Sequence, residues 1–540
     1  MDMYDQPTEP WQGGDITQKR PTVTQEAFAT VPATVGTTQH PHKISRRKLF
    51  GVATAGVAGA AALTAGGFVL ASELQHGTWN PFSAGPVATN AQIGHLLRRA
   101  GFGATPEEIS TYTSLGFNGA VDRLLNYQQV PDDAMESRLN ALHLDFSSPQ
   151  NQQQWWLLRM TWTQRPLLEK MTLFWHGVLT SSYHKVGGRN AYTRMITQNN
   201  FLRTHAFDTF DNILLGITAD PAMLFYLDLT KSTKKAPNEN YARELMELFT
   251  LGLGHYTQQD VYNAAAALTG WHVIGSTPTS HYLLRDHNTL TKTYLGQTGN
   301  FDYKDVIRIL VNHPATPWFI CRKLFTFFVY ENPTNDELSP LVDTYVKSGH
   351  NMGAVMRTLL LSPQFSSAKA YRSRLKSPTE FVAGAYRALN VQGDGKALPA
   401  MTTLTGQTLF DPPNVAGWPG DKASALWLNS GTWMMRLNYI DLLLSNRNPR
   451  NTTYKPVDLQ GIVNAKHIDT PDHFVDYFAS FLLDGQLASD RHAQMVDYFT
   501  SPESGRVVQQ ITLANGKSYP INRVRGTLYL MMASPEYQLN

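Results

Sequence analysis

The stretch NENYARELMELFTLGLGHYTQQDVYNAAAALTGW, Asn238 to Trp271, decides the fold class, because periodicity, helix punctuation and charge placement agree in it. At 100° per residue Glu239, Asn240, Arg243, Glu244 and Glu247 share one arc of a helix, and Tyr241, Ala242, Leu245, Met246, Leu248 and Phe249 share the other. Glu239, Arg243 and Glu247 follow at i, i+4 and i+8, which sets one arginine between two carboxylates it can pair with. Gly252 or Gly254 ends that helix in the left-handed conformation glycine tolerates. Thr257 then caps a second helix, with Asp260 in the reciprocal capping-box position. Val261, Ala264, Ala265 and Leu268 form its apolar stripe and Gly270 ends it, so the product is an αα-hairpin.

The charged ridge has two readings. In the first it is a solvated helix face, held by surface pairs worth about 0.2–0.5 kcal/mol each. In the second it lines a polar cleft, where Arg243 keeps one carboxylate ionised and Glu244 or Glu247 serves as base or metal ligand. The cleft reading makes Arg243→Ala cost about 3–5 kcal/mol, the range for breaking a buried pair.

The same helical punctuation continues on both sides. Asn90 is placed to cap a helix from His95 to Ala100, and Thr105-Pro106-Glu107-Glu108 opens another with Pro at the first helical position. Gly116 resets the chain for a helix from Gly119 to Leu125. Between Asn151 and Ser182 come Trp155, Trp156, Trp162, Phe174 and Trp175, whose spacing fits a core, with a sugar-stacking platform as the other reading. His176 ends that segment, either as a satisfied buried histidine or as a catalytic group. From Asp411 to Gly420, Pro412, Pro413 and Pro419 exclude a helix and make a rigid loop. That loop offers Asp411, Asn414 and Trp418 as a cleft wall closing over the charged ridge, or else is packed for shape. Asn515-Gly516 marks a short hairpin from Gln510 to Tyr519.

Composition bounds the rest. A chain of 540 residues that is 42% hydrophobic and 11% aromatic is globular in bulk. A net charge of +3 from 46 basic and 43 acidic residues gives no case for nucleic acid. The single cysteine, Cys321, rules out an internal disulfide and sits in the apolar run after Trp318-Phe319-Ile320, as a buried hydrophobe would. No Gly-rich phosphate loop, Gly-x-Ser-x-Gly elbow or His-Glu-x-x-His helix occurs, so neither a cofactor nor a metal is specified.

Residues 1–44, rich in Thr, Gln, Pro and Gly, read as a disordered leader. Ser45-Arg46-Arg47-Lys48-Leu49-Phe50 precedes an uncharged Ala/Gly-rich run to Ser72, the layout of a twin-arginine export signal. Val69-Leu70-Ala71 offers a cleavage site, and an uncleaved run is long enough to anchor in a bilayer. Residues 73–88 read as a linker, 89–446 as a helical core domain and 447–540 as a C-terminal helical segment packing on it.

Asn238-Glu239-Asn240-Tyr241-Ala242-Arg243-Glu244, with Leu251-Gly252, Tyr256-Thr257 and Ala267-Leu268-Thr269-Gly270-Trp271, resembles the signature of the bacterial DUF1800 family, a domain of unknown function. His95 to Gly103, Lys170-Met171 to Trp175-His176, Lys292-Thr293-Tyr294-Leu295-Gly296 and Asp411 to Trp418 resemble it in the same order, from about Ala91 to the C-terminus. The chain departs from the family pattern twice. Val178 stands where relatives often carry a second histidine after the equivalent of His176, and His287-Asn288 replaces a His-Asp pair, with Asp286 on the other side.

The expectation is an all-α, multi-helix globular body with minor β-hairpin content. Its function is expected to be that of an exported cell-envelope protein, a hydrolase or lyase acting on an envelope polymer through a carboxylate-lined cleft. Glu244, Glu247 and His176 are the catalytic candidates, and Glu239, Asn240, Arg243, Asp411, Asn414 and Trp418 the binding candidates. The alternative is a non-catalytic envelope assembly or glycan-binding protein. An envelope polysaccharide or envelope protein is the expected partner, with membrane contact only through an uncleaved signal. Replacing both Arg46 and Arg47 with Lys is expected to abolish export and leave the fold intact; cell fractionation that finds the double variant exported normally would exclude the twin-arginine route.

Overall fold

The hairpin from Asn238 to Trp271 is present in the computed structural model, which describes residues 89–187, 190–273, 277–445, 456–503 and 509–540. The expected leader, twin-arginine signal and linker, residues 1–88, lie outside the described residues. Among the described residues 25 α-helices stand against three two-stranded antiparallel sheets, so the fold is mainly helical.

Local chemistry sets most helix boundaries. Thr257 accepts from the Asp260 N–H while Asp260 accepts from the Thr257 N–H, a complete capping box for the helix Gln258–Ala267. Thr105 and Glu108 do the same for Pro106–Ser114, with Pro106 at the first position where no donor is needed. The first described helix starts earlier than the sequence reading placed it. It runs Asn90–Arg99 and is capped by Thr89, with Gln92 closing the box, so Asn90 is inside it.

The central helix differs more. It is α-helical only over Asn240–Glu244 and continues as a π-helix over Leu245–Thr250. The Leu251 N–H reaches back five residues to the Met246 carbonyl at 2.7 Å, and the Thr250 hydroxyl donates to the Leu245 carbonyl at 2.6 Å. A wider turn holds more residues per revolution, so side chains four apart no longer stack. Gly252, at φ +79°, then leaves the turn in the left-handed region.

Two of the sheets were not expected. Lys292–Tyr294 pairs with Gln297–Gly299 across a two-residue turn, with Leu295 at φ 47° and Gly296 at φ 78°, the mirror-image turn that matches strand twist. The Leu295 N–H donates to Asp260 Oδ1 at 2.8 Å, and Asn263 donates to the Thr293 carbonyl at 2.6 Å. The capping residue of the second helix therefore also docks this hairpin. Trp271–Val273 pairs with Ser280–Tyr282, and the expected hairpin is present as Gln510–Thr512 with Ser518–Pro520.

Apolar side chains from Ile93 to Tyr537 form one continuous core, to which Leu459, Phe474, Val524 and Leu528 of the C-terminal segment contribute. Cys321 is buried in it, and burial pushes its thiol well above the ordinary range. Trp156 and Trp175 are fully enclosed, as a core reading of the aromatic segment requires. Helix Pro166–Val178 runs through this core and carries two charges, Glu169 at 1% and Lys170 at 0% exposure. Glu169 accepts from Arg203 at 2.7 and 3.0 Å, from Arg159 at 3.2 Å and from the Trp156 indole at 2.9 Å. Lys170 donates to the Gly101 carbonyl at 3.0 Å and pairs with Glu380.

Burial alone would raise the Glu169 carboxyl; Arg203 and Arg159 overcome it and hold the group at about 2. Glu169→Ala is expected to cost roughly 3–5 kcal/mol, because two guanidinium groups are left without their shared counter-charge. The folded value lies below the unfolded carboxylate value of about 4.3, so this stability is complete above that pH and is lost as pH falls through about 2. Urea melts across that range should show a flatter acid limb for Glu169→Gln than for wild type; parallel limbs would contradict the assignment.

Candidate functional site

The π-turn decides what the charged ridge becomes. Arg243 Nη2 donates to Glu239 Oε2 at 2.8 Å and to Gln258 Oε1 at 2.9 Å, and Gln258 donates to the same Glu239 oxygen at 2.8 Å. This triad ties the two helices of the hairpin together at the surface, with Arg243 37% and Glu239 33% exposed. Glu247, displaced by the wider turn, accepts from the Tyr256 hydroxyl at 2.7 Å and forms no ion pair with Arg243. The expected single arginine between two carboxylates is thus corrected to one pair, and the expected buried clamp to a half-exposed one.

Glu244 is a different matter. It is half-buried, and among the described residues it has no hydrogen bond or ion pair. Burial first, then the charge of Glu247, raise its carboxyl above the usual range, against the smaller opposing effects of Arg243 and Lys185. Lys185 lies 3.9 Å from Asp228 Oδ2 and 5.1 Å from the centre of the Tyr226 ring. Asp228 also accepts from Lys231 at 2.6 Å and from the Asn240 amide at 3.1 Å, which joins the first turn of the central helix to this patch. Burial would raise the Asp228 carboxyl, but Lys231 and Lys185 outweigh it and hold it below the usual range.

The loop from Asp411 arrives from the other side. His176 is 1% exposed, walled by the rings of Trp156, Phe410 and Trp418, and burial drives its pKa down to about 3. Its Nε2 accepts from the Phe410 N–H at 3.0 Å, so a neutral ring carries its proton on Nδ1. The Phe410 carbonyl in turn accepts from the Tyr183 N–H at 3.1 Å. Gripped on both sides, Phe410 stays at φ 63°, and the next residue, Asp411, is aimed at the segment Ser182–Lys185. Asp411 accepts from the Ser182 hydroxyl with one oxygen, and its other lies 2.8 Å from His184 Nδ1. The imidazole of His184 is 69% exposed, which leaves Nε2 toward solvent.

Tyr226 links the two sides. Burial raises its phenol, and the charges of both Asp411 and Glu244 raise it further, while a hydrogen bond with Thr180 lowers it. The patch therefore gathers Glu244, Asn240, Asp411, His184, Lys185, Tyr226 and Asp228. Trp418 is buried behind the loop as its anchor, and Gly417, at φ +79°, passes so close to the Gly177 carbonyl that a Cβ would sit 2.3 Å from that oxygen. Asn414 is exposed and bonds within its own loop, to the Ala416 N–H at 2.9 Å.

The profile of the family described as "Protein of unknown function (DUF1800)" matches residues 95–539. The chain belongs to the DUF1800 family. No curated protein and no solved structure matches it. Of the DUF1800 segments, Asn238–Gly252 and Asp411–Trp418 contribute Asn240, Glu244 and Asp411 to this patch, His176 of Lys170–His176 holds the Phe410 N–H from within the core, and His95–Gly103 is packed in the core. His287 is buried against the Thr269 carbonyl at 3.1 Å, Asn288 donates its amide to the Lys234 carbonyl at 3.2 Å, and Asp286 lies 3.0 Å from His272, so all three residues at that departure from the family pattern have structural partners. Val178, at the other departure, is buried. Among the described residues no three His, Cys, Asp or Glu side chains are grouped to hold a metal, and no helix is long and apolar enough to cross a membrane.

Sequence reasoning missed Ser182, His184, Lys185, Tyr226 and Asp228. The polar run Ser181 to Lys185, directly after an apolar helix, is the signal that was available for three of them. Given the exposed geometry of the Arg243 pair, Arg243→Ala should lower stability by less than about 1 kcal/mol. A urea melt showing a loss of several kcal/mol would restore the buried-clamp reading.

Proposed function

We propose that this protein is an exported cell-envelope enzyme, a hydrolase or lyase acting on an envelope polymer. The twin-arginine pattern at Ser45–Phe50 supports export, and one observation carries the activity. Asp411 orients an exposed histidine, His184, at the same patch where the central helix presents an unpaired carboxyl, Glu244, with a raised pKa.

In this reading His184 is the general base and Asp411 its positioning residue. With Nδ1–H held by Asp411, the Nε2 lone pair is free to take a proton from water in hydrolysis, or from the carbon next to a carboxylate in elimination. Glu244, whose carboxyl burial and Glu247 push above the usual range, gives a proton to the departing glycosidic oxygen as that bond breaks. Lys185, half-exposed between Asp228 and Tyr226, supplies positive charge for an acidic substrate group. Non-catalytic glycan binding is the second reading, favoured by the openness of the patch around His184.

The test is to incubate the purified protein with polysaccharide and peptidoglycan isolated from its host's envelope. New reducing ends mark hydrolysis and unsaturated ultraviolet-absorbing ends mark elimination. His184→Ala and Glu244→Gln should each lower kcat by about 100-fold or more, the range for losing a general acid or base. Wild-type rates in both variants would move catalysis elsewhere, and tight binding of the polymer without cleavage would favour the second reading.

A further inference from the structure

A cavity of about 410 Å³ lies away from the Asp411 patch, among helices Pro106–Ser114, Gly116–Leu125, Asp133–Asn140 and Pro378–Ala388 and the end of Pro149–Trp162. None of its lining residues belongs to that patch. Its volume is within the range of small-molecule sites, roughly 300–1,000 Å³.

The charges in its wall are unevenly satisfied. Glu108 is taken up by Arg387, which also donates to the Thr161 carbonyl at 2.8 Å. Glu107 is held by Lys466 at 2.8 Å. Both carboxylates of the lining therefore have their counter-charges. The other two guanidinium groups do not: among the described residues neither Arg123 nor Arg138 has a carboxylate within ion-pair distance. Arg138 lies over the Trp162 ring with its central carbon 3.7 Å from the centroid, and its only hydrogen bond among the described residues goes to the Gln392 amide oxygen at 3.1 Å. Arg123 sits 5.6 Å from the Tyr112 ring centroid and engages the Tyr112 phenol, and its Nε is buried without a partner.

Laid on the Trp162 ring, Arg138 keeps its fork of N–H donors in a fixed plane, which suits two-point recognition of a carboxylate or phosphate, and Arg123 adds a second positive charge in the same wall. The remaining walls, Tyr386 and Trp162 among them, combine ring faces with hydroxyl and amide groups, as a sugar requires. We propose that this cavity is a binding site for a saccharide bearing an oxyanion, with Arg123 and Arg138 as the anion-binding pair. It stands apart from the reading of the Asp411 patch as catalytic and does not depend on it.

Calorimetric titration of the full-length protein with glucuronic acid, glucose 6-phosphate and neutral glucose tests this. Binding of either acidic sugar, with glucose at least about tenfold weaker, is expected, and which one binds identifies carboxylate or phosphate as the anion. Arg123→Gln and Arg138→Gln should each weaken that binding about tenfold or more. Arg138→Lys, which keeps the charge and loses the fork, should fall between and covers the case in which a neutral variant fails to fold. His184→Ala should leave the affinity unchanged, so failure here is separable from failure at the proposed catalytic patch. Absence of binding by both acidic sugars at millimolar concentration, equal binding of glucose, or unchanged affinity in the folded arginine variants would overturn the proposal.

Discussion

Glu169 and Lys170 are adjacent in sequence, opposite in charge and both almost wholly buried, and the packing around helix Pro166–Val178 follows from that. A buried charge costs several kcal/mol unless it is paired and hydrogen-bonded. Consecutive helical residues point about 100° apart, so the two cannot share one partner set. Glu169 draws in Arg159 and Trp156 from the preceding helix and Arg203 from Ala191–Thr204, while Lys170 draws in Glu380 and the carbonyl of Gly101. One helix is therefore located by polar contacts on two sides at once. Apolar packing alone would tolerate small slides along its length, and these directional bonds do not.

That rigidity is transmitted to the patch. His176 is six residues past Lys170 on the same helix, and it holds the N–H of Phe410. Phe410 is in the left-handed region, where a bulky residue pays a penalty of roughly 1–3 kcal/mol that must be offset by surrounding structure. Its N–H and carbonyl bonds to His176 and Tyr183 supply the determination. The benefit is directional: Asp411 leaves the loop facing Ser182 and His184. Asp228, at φ 59°, has the same backbone conformation at less cost, since a short polar side chain tolerates it. Both aspartates of the patch are placed by left-handed backbone.

What was legible in the sequence was local. Thr105 with Glu108 and Thr257 with Asp260 are three residues apart, and their capping boxes form as the spacing implies. The cap at Thr89 was legible too, through Gln92, but the adjacent Asn90 drew the boundary forward. The π-turn, which buries Met246 and Phe249 in the core, had no such signature. A regular helical projection therefore stacked Glu247 under Arg243, where the chain does not put it. His184 was invisible for another reason: the aspartate that orients it is 227 positions away. The hairpin Lys292–Gly299 is intermediate, since Leu295 occupies a turn position that normally asks for Asn or Gly and is held there by its bond to Asp260 and its packing on the core.

Burial also sorts the sequence candidates by what each can do. Removing a group from water penalises its charged form, so the same physical effect lowers a histidine and raises a carboxylic acid. His176 is fully enclosed, and at about 3 it stays neutral across the working range of a cell, unable to gain and release a proton there. It serves as a fixed acceptor for the loop. Glu244 is only half-enclosed, and its rise, reinforced by Glu247, moves it toward neutrality while it remains open to an approaching group. Full burial makes one candidate a structural post, and partial burial leaves the other open to an approaching group. Of the residues the sequence singled out as catalytic, the degree of enclosure therefore favours Glu244, which the proposed reading joins to the exposed ring of His184.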